Sequence, residues 1–99
     1  MRFEWDPEKA RSNLAKHGVS FELAEKVFDD PLSIATVDRH VDGEARWRTV
    51  GRVGFTLILF VAHTYPDETG EIVVRIIGAR RASKQEVRAY ERGEERFFR

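Results

Sequence analysis

The chain has no cysteine, one methionine and three prolines among its 99 residues, and it carries no net charge. Without cysteine there is no disulfide framework, no thiolate nucleophile and no Cys-based zinc site. A reducing cytoplasm is the setting expected for such a chain. No apolar run approaches the roughly 20 residues that span a bilayer, so no membrane association is expected. The opening Met1-Arg2-Phe3-Glu4-Trp5-Asp6 turns polar too early for a secretory signal. There is no G-x-S-x-G element, no phosphate-binding glycine loop and no EF-hand. His40 and His63 form no metal-ligand spacing with another histidine or an acid. Neither a metal nor another cofactor is therefore expected.

What is present is an apolar fraction of 41%, enough to pack the core of one domain spanning 1–99. Neutrality conceals an asymmetry. Residues 75–99 hold eight basic residues against four glutamates, a net +4, whereas the first 74 hold nine basic and thirteen acidic, a net −4. Such a division suits one basic face for phosphates and an acidic remainder. It equally suits a solvated C-terminal helix laced with Glu–Arg pairs.

Asp6-Pro7 is a helix start, since Asp accepts from free N–H groups and Pro is tolerated at the first helical position. That helix runs to about His17 and stops at Gly18, a left-handed cap. Ser20 caps a second helix whose stripe is Phe21, Ala24, Val27 and Phe28, ended by Asp29-Asp30-Pro31. From residue 32 the period becomes that of strands: Leu32–Asp38, then His40–Glu44 around an Asp42-Gly43 hairpin turn, then Arg46–Arg52. In the last of these, Arg46, Arg48 and Arg52 share one face, with Trp47 and Thr49 on the other. Gly51 to Gly54 supplies a turn. Phe55–Tyr65 reads as the longest strand, central and buried on both faces. Pro66–Gly70 is a loop and Glu71–Ala79 the last strand. Ser83-Lys84-Gln85-Glu86 is a capping box opening a terminal helix with Val87 and Tyr90 inward; Gly93 weakens it before a tail bearing Phe97 and Phe98. The expected fold is α+β: two N-terminal helices, an antiparallel β-meander and a C-terminal helix.

Several residues are candidates for chemistry. Arg75 lies in the otherwise apolar Ile72–Ile77, and an unpaired guanidinium there costs on the order of several kcal/mol. It must meet a carboxylate such as Glu86 or Asp38, or stand at the wet mouth of a cleft. By alternation it shares a face with Val73 and Ile77, and with Arg81 where the strand persists. Arg80-Arg81 stands just before the helix that Ser83 caps, and Lys84 lies in its first turn; N–H groups and arginines together make a phosphate cradle. Arg46 and Arg48 extend that cradle, or else protect an edge strand from aggregation. His17, preceded by Lys16, ends a helix. It serves either the helix dipole or proton transfer. Tyr90 faces the sheet as a core residue with a satisfied hydroxyl, or else stacks on a base or orients a phosphate.

Three stretches resemble the BrnT family of bacterial toxins. The first is Phe3-Glu4-Trp5-Asp6-Pro7-Glu8-Lys9, through Asn13 to Lys16-His17-Gly18-Val19-Ser20-Phe21, Ala24, Phe28 and Asp29. The second is Asp42-Gly43-Glu44-Ala45-Arg46-Trp47. The third is Arg75-Ile76-Ile77-Gly78-Ala79-Arg80-Arg81-Ala82-Ser83, with Glu86 and Tyr90 following. Gly78 departs from the serine usual there. The resemblance implies a RelE-like fold, a metal-independent ribonuclease, and a BrnA-type antitoxin that neutralises the toxin and represses the shared operon. Contact with DNA would then be indirect, through the antitoxin, in a toxin–antitoxin heterotetramer.

Cleavage of RNA without metal requires that the 2′-hydroxyl lose a proton, that the leaving 5′-oxygen gain one, and that charge on the phosphorane be stabilised. On this reading Arg46, Arg75, Arg80 and Arg81 bind the scissile phosphate and His17 or Lys16 handles a proton. Tyr90 positions the RNA, while Lys9, Arg48 and Lys84 add binding contacts. Two alternatives use the same basic face: a non-catalytic RNA-binding module, and a subunit whose arginines pair with an acidic protein.

Overall fold

The computed structural model describes residues 1–66 and 70–94. Its elements are β1 (Arg2–Glu4), α1 (Pro7–His17), α2 (Phe21–Glu25) continuing as a 3₁₀ turn (Lys26–Asp29), β2 (Ile34–Val41), β3 (Glu44–Val53), β4 (Leu57–Thr64), β5 (Val73–Arg81) and α3 (Lys84–Arg92). The five strands form one sheet in the order β1-β5-β4-β3-β2. The four later strands pair antiparallel in succession, while β1 pairs parallel with β5 and makes the sheet mixed.

The helices begin and end where their caps stand. The Asp6 carboxylate accepts from the Glu8 N–H, Pro7 takes the first helical position, and Gly18 closes α1 at φ 68°. Ser20 accepts from the Leu23 N–H. Ser83 and Glu86 form both halves of the capping box on α3. The second helix departs from the sequence expectation: it is α-helical only to Glu25 and then tightens.

The strands differ more. One strand, β2, runs from Ile34 to Val41, with a bulge between Val37 and Arg39, where the sequence suggested two pieces. It reaches the Asp42-Gly43 turn, whose positive φ values of 51° and 82° suit a right-twisted two-residue hairpin. The longest strand is β3, at 10 residues, against 8 for β4. β4 does hold the centre of the sheet, but Phe55 stands outside it in the turn, 93% exposed. Phe97 and Phe98 lie outside the described residues.

Two apolar clusters lie on opposite faces of the sheet. The larger joins Val19, Phe21, Ala24 and Val27 to Leu59, Val61, Val74, Ile76 and Ala79, with Ala10 of α1 packed against it. Each large side chain so buried contributes on the order of 2 kcal/mol. The smaller joins Ile34 and Val50 to Ala89 and Tyr90 of α3. The edge of β5 beyond the short β1 is closed by a side chain. Asn13 donates to the Ala79 carbonyl at 2.8 Å and accepts from the Ala79 N–H at 3.1 Å, as a neighbouring strand would.

Gly51 sits where β3 meets the 3₁₀ turn. A Cβ there would lie 2.8 Å from Val27 Cγ1 and 3.1 Å from the Val27 carbonyl oxygen, whereas one on Gly78 would meet only Asn13 Oδ1 at 3.6 Å. Gly51→Ala is expected to destabilise the chain by about 1–3 kcal/mol through overpacking, and Gly78→Ala to leave it unchanged or slightly stabilised. Urea midpoints at constant slope measure both.

Candidate functional site

The face of the sheet that carries α3 is covered by that helix at one end. At the other it presents arginines. Alternation along β3 places Arg46 and Arg48 on the same side as Val50, which belongs to the α3 cluster. Arg48 is level with Ala62, and Val50 with Phe60, on β4. On β5, Gly78 is level with Ala62 and Arg80 with Phe60. β3 and β5 flank β4, roughly 10 Å apart.

Arg75 joins the same face because of a bulge. His63 pairs with Ile76 but Ala62 pairs with Gly78, which leaves Ile77 as the extra residue. The extra residue changes the phase of alternation. Val74, Ile76 and Ala79 all belong to the α1–α2 cluster, so Arg75 and Arg80 share the opposite face while Arg81 leaves it. Simple alternation would have grouped Arg75 with Arg81. Arg75 pairs with Thr64 and therefore flanks the same end of β4 as Arg46.

Asp38, Arg46, Arg48, Phe60, Ala62 and Ile77 border a cleft of about 200 Å³. Arg48 Nη2 pairs with Asp38 at 2.8 Å. Arg80 stacks on the Phe60 ring at 4.0 Å and forms a bidentate pair with Glu86, at 2.8 and 3.0 Å. Burial pushes the Glu86 carboxyl up. Hydrogen bonds from Arg80 and from the Ser83 N–H outweigh that and hold it below the usual range. The acid opposite Arg75 is Glu4, 2.9 Å away across the parallel pair, and neither Glu86 nor Asp38. Arg46 is different: it makes no ion pair among the described residues, and its Nε is buried without a hydrogen-bond partner. A buried donor left in that state costs about 1–3 kcal/mol, and more when charged. The guanidinium borders the cleft without a carboxylate among the described residues, so an anion in the cleft would balance its charge.

The other sequence candidates stand elsewhere. Lys9, Lys16 and His17 are exposed on α1, which packs over the opposite face at the β5 edge. Arg81 and Lys84 are exposed at the end of β5 and the start of α3. Tyr90 is buried under α3 and donates to Asp30 Oδ2 at 2.5 Å. Asp30 also accepts from the N–H groups of Leu32 and Arg52. Burial raises the Asp30 carboxyl, but these three donors bring it below its ordinary value. The tyrosine thus fastens α3 to the end of the 3₁₀ turn.

Sequence reasoning passed over Phe60, the platform for Arg80, because a phenylalanine inside an apolar run reads only as core. It also treated His63 merely as a strand residue. That ring is wholly buried, its Nε2 is 2.7 Å from Thr49 Oγ1, and burial pushes its pKa down to about 4. It is uncharged at neutral pH and adds nothing to the positive field. Among the described residues no group of three or more His, Asp or Glu side chains is placed to hold a metal ion. No helix among them is long and apolar enough to cross a membrane.

Residues 5–86 match the model of a family described as the ribonuclease toxin BrnT of type II toxin–antitoxin systems. The structure is similar to the crystal structure of the Brucella abortus ribonuclease toxin BrnT. The TM-score is 0.60 at 27% identity, over 85% of this chain and 99% of that one. No curated protein sequence matches the chain significantly.

Proposed function

Because the chain belongs to the BrnT family of type II ribonuclease toxins, which implies an antitoxin partner, we propose that it is a metal-independent endoribonuclease acting on RNA at its arginine face. The observation that carries the reading is the half-buried Arg46, which borders a cleft and makes no ion pair among the described residues. RNA offers what such a site lacks: phosphate oxygens that accept from guanidinium in a fixed fork geometry. Arg48, Arg80 and Arg75 on the same face extend the field along the strand. Stabilisation of the doubly charged phosphorane is the main chemical contribution of this array.

Lys16 and His17 lie on the opposite layer, out of reach of a phosphate held by the arginines, so with Lys9, Arg81 and Lys84 they bind flanking phosphates of RNA that leaves the cleft over the β5 edge, while Asp38 at the cleft handles a proton and Tyr90 holds α3 in place. A BrnA-type antitoxin neutralises the protein in the cytoplasm, contacts DNA on its behalf, and supplies the dimer contact of a heterotetramer. By cutting RNA the free toxin stops translation.

Purified protein is expected to cleave RNA in the presence of EDTA, and to stop when the antitoxin is added. Salt-sensitive binding without cleavage would instead identify a non-catalytic RNA-binding module. Lys16→Ala combined with His17→Ala is expected to leave the cleavage rate at saturating RNA nearly unchanged, whereas Asp38→Asn is expected to lower it by at least about tenfold, the low end for a lost acid–base group. A full rate in Asp38→Asn with a tenfold loss in the double variant would return the proton transfers to α1.

A further inference from the structure

Glu86 is buried, and in a capping box its usual task is finished once it accepts from the backbone N–H of the cap residue. Here the Ser83 N–H reaches Glu86 Oε1 at 2.8 Å, and the Ser83 hydroxyl accepts from the Glu86 N–H at 3.1 Å. The same carboxylate also receives both terminal nitrogens of Arg80. Three donors on one buried carboxylate, with the phenyl ring of Phe60 beneath the guanidinium, leave Arg80 little freedom.

How the guanidinium is held matters more than that it is held. Glu86 takes the end of the fork, Nη1 and Nη2, and Nη1 also donates to the Arg81 carbonyl at 3.1 Å. A guanidinium has five N–H donors in a plane. The edge made by Nε–H and the second Nη2–H therefore remains without a partner among the described residues. Glu4 does the reverse to Arg75: it takes Nε and Nη2, the side edge. Of the two β5 arginines on this face, Arg80 alone keeps the side edge open for a second, bidentate anion.

We propose that Glu86 is a positioning residue for RNA cleavage: held by the backbone N–H of Ser83, a bond that does not need the Ser83 hydroxyl, and with the Phe60 ring beneath the guanidinium, it fixes Arg80 so that its open edge meets the phosphate undergoing attack. This rests on the reading of the arginine face as a phosphate site. The helix start and the phosphate ligand are then one device, since the carboxylate that ends the backbone deficit of α3 also orients the arginine.

Charge gives this role a signature. Glu86 is an anion beside a polyanion site, so its removal makes the face more positive. Glu86→Gln keeps an acceptor for the Ser83 N–H but gives up the bidentate charged pair. Its expected effect is a kcat about tenfold lower with a KM unchanged or reduced. A residue that served only the fold would lower kcat and weaken binding together, and would respond to Ser83→Ala in the same way. Ser83→Ala is expected to lower thermal stability while leaving kcat and KM intact.

The experiment measures kcat and KM for RNA cleavage, with melting temperatures, for the wild type and for Arg80→Ala, Glu86→Gln and Ser83→Ala. Loss of kcat in Arg80→Ala and Glu86→Gln, with activity kept in Ser83→Ala, supports the proposal. Loss in Arg80→Ala with wild-type kcat in Glu86→Gln overturns the positioning role and leaves the phosphate site standing. Wild-type kinetics in Arg80→Ala overturn the positioning role together with Arg80's place in the phosphate site. Equal loss in Ser83→Ala and Glu86→Gln reduces Glu86 to a helix cap and also overturns it.

Discussion

Arg46→Ala is expected to cut the rate of RNA cleavage by about 10²–10³-fold, the range for removing one preorganised donor from a developing oxyanion. The same substitution should cost almost no stability. Arg46 has no ion-pair partner among the described residues and its buried Nε has no acceptor, so truncation relieves an unsatisfied donor rather than breaking a bond. Activity and stability should therefore separate. That is the mark of a group held ready for something outside the chain. Arg46→Lys supplies a control: the point charge should restore RNA binding, while the missing fork keeps cleavage low. The dependence of binding on salt should fall by about one unit of slope in the alanine variant, because one phosphate is no longer neutralised. A fully active Arg46→Ala enzyme, or one inactive only because it unfolds, would remove the cleft from the mechanism.

The parts of the fold governed by neighbouring residues were legible in the sequence. Asp6-Pro7, Gly18, Ser20 and the Ser83–Glu86 box act within a helical turn of themselves, and each caps as its residue type requires. The common face of Arg46 and Arg48 follows from the period of a single strand. What escaped depends on pairing between distant segments. Arg75 meets Glu4, 71 residues away, and only because β1 joins β5 in parallel register. The bulge at Ile77 has no local signature, yet it decides that Arg80 rather than Arg81 stands with Arg75. An expectation of convergent cations was therefore within reach of the sequence, and their exact membership was not. The same limit explains Lys16 and His17: they adjoin the arginines in no sequence pattern, and α1 carries them to the other layer of the molecule.

Acidification should unfold this protein through His63 before it protonates the carboxylates that brace the site. The ring is buried between Phe28 and Tyr65, each edge-on at about 5 Å, and touches Thr49 with Nε2. Burial holds its folded pKa at about 4 against 6.5 when unrestrained. The unfolded chain therefore binds the proton first. Stability is whole above pH 6.5 and falls as the pH drops from 6.5 towards 4, by about 3 kcal/mol in all for a shift of this size. Asp30 and Glu86 have lowered pKa values. Their contribution is present above the ordinary values of 4.5 for Glu86 and 3.8 for Asp30 and is lost as the pH falls below these, so the window from pH 6.5 to 4.5 belongs to the histidine. Replacing both partners, His63→Phe with Thr49→Val, removes the buried imidazole without stranding a hydroxyl. The unfolding free energy of that variant, from urea titrations at successive pH values, is expected to be nearly flat between pH 6.5 and pH 4.5. An equal slope in the variant and the wild type would show that the acid sensitivity originates elsewhere. Because His63 pairs with Trp47, between Arg46 and Arg48 on β3, the group whose protonation opposes folding is built into the strand pair that carries the arginine cleft.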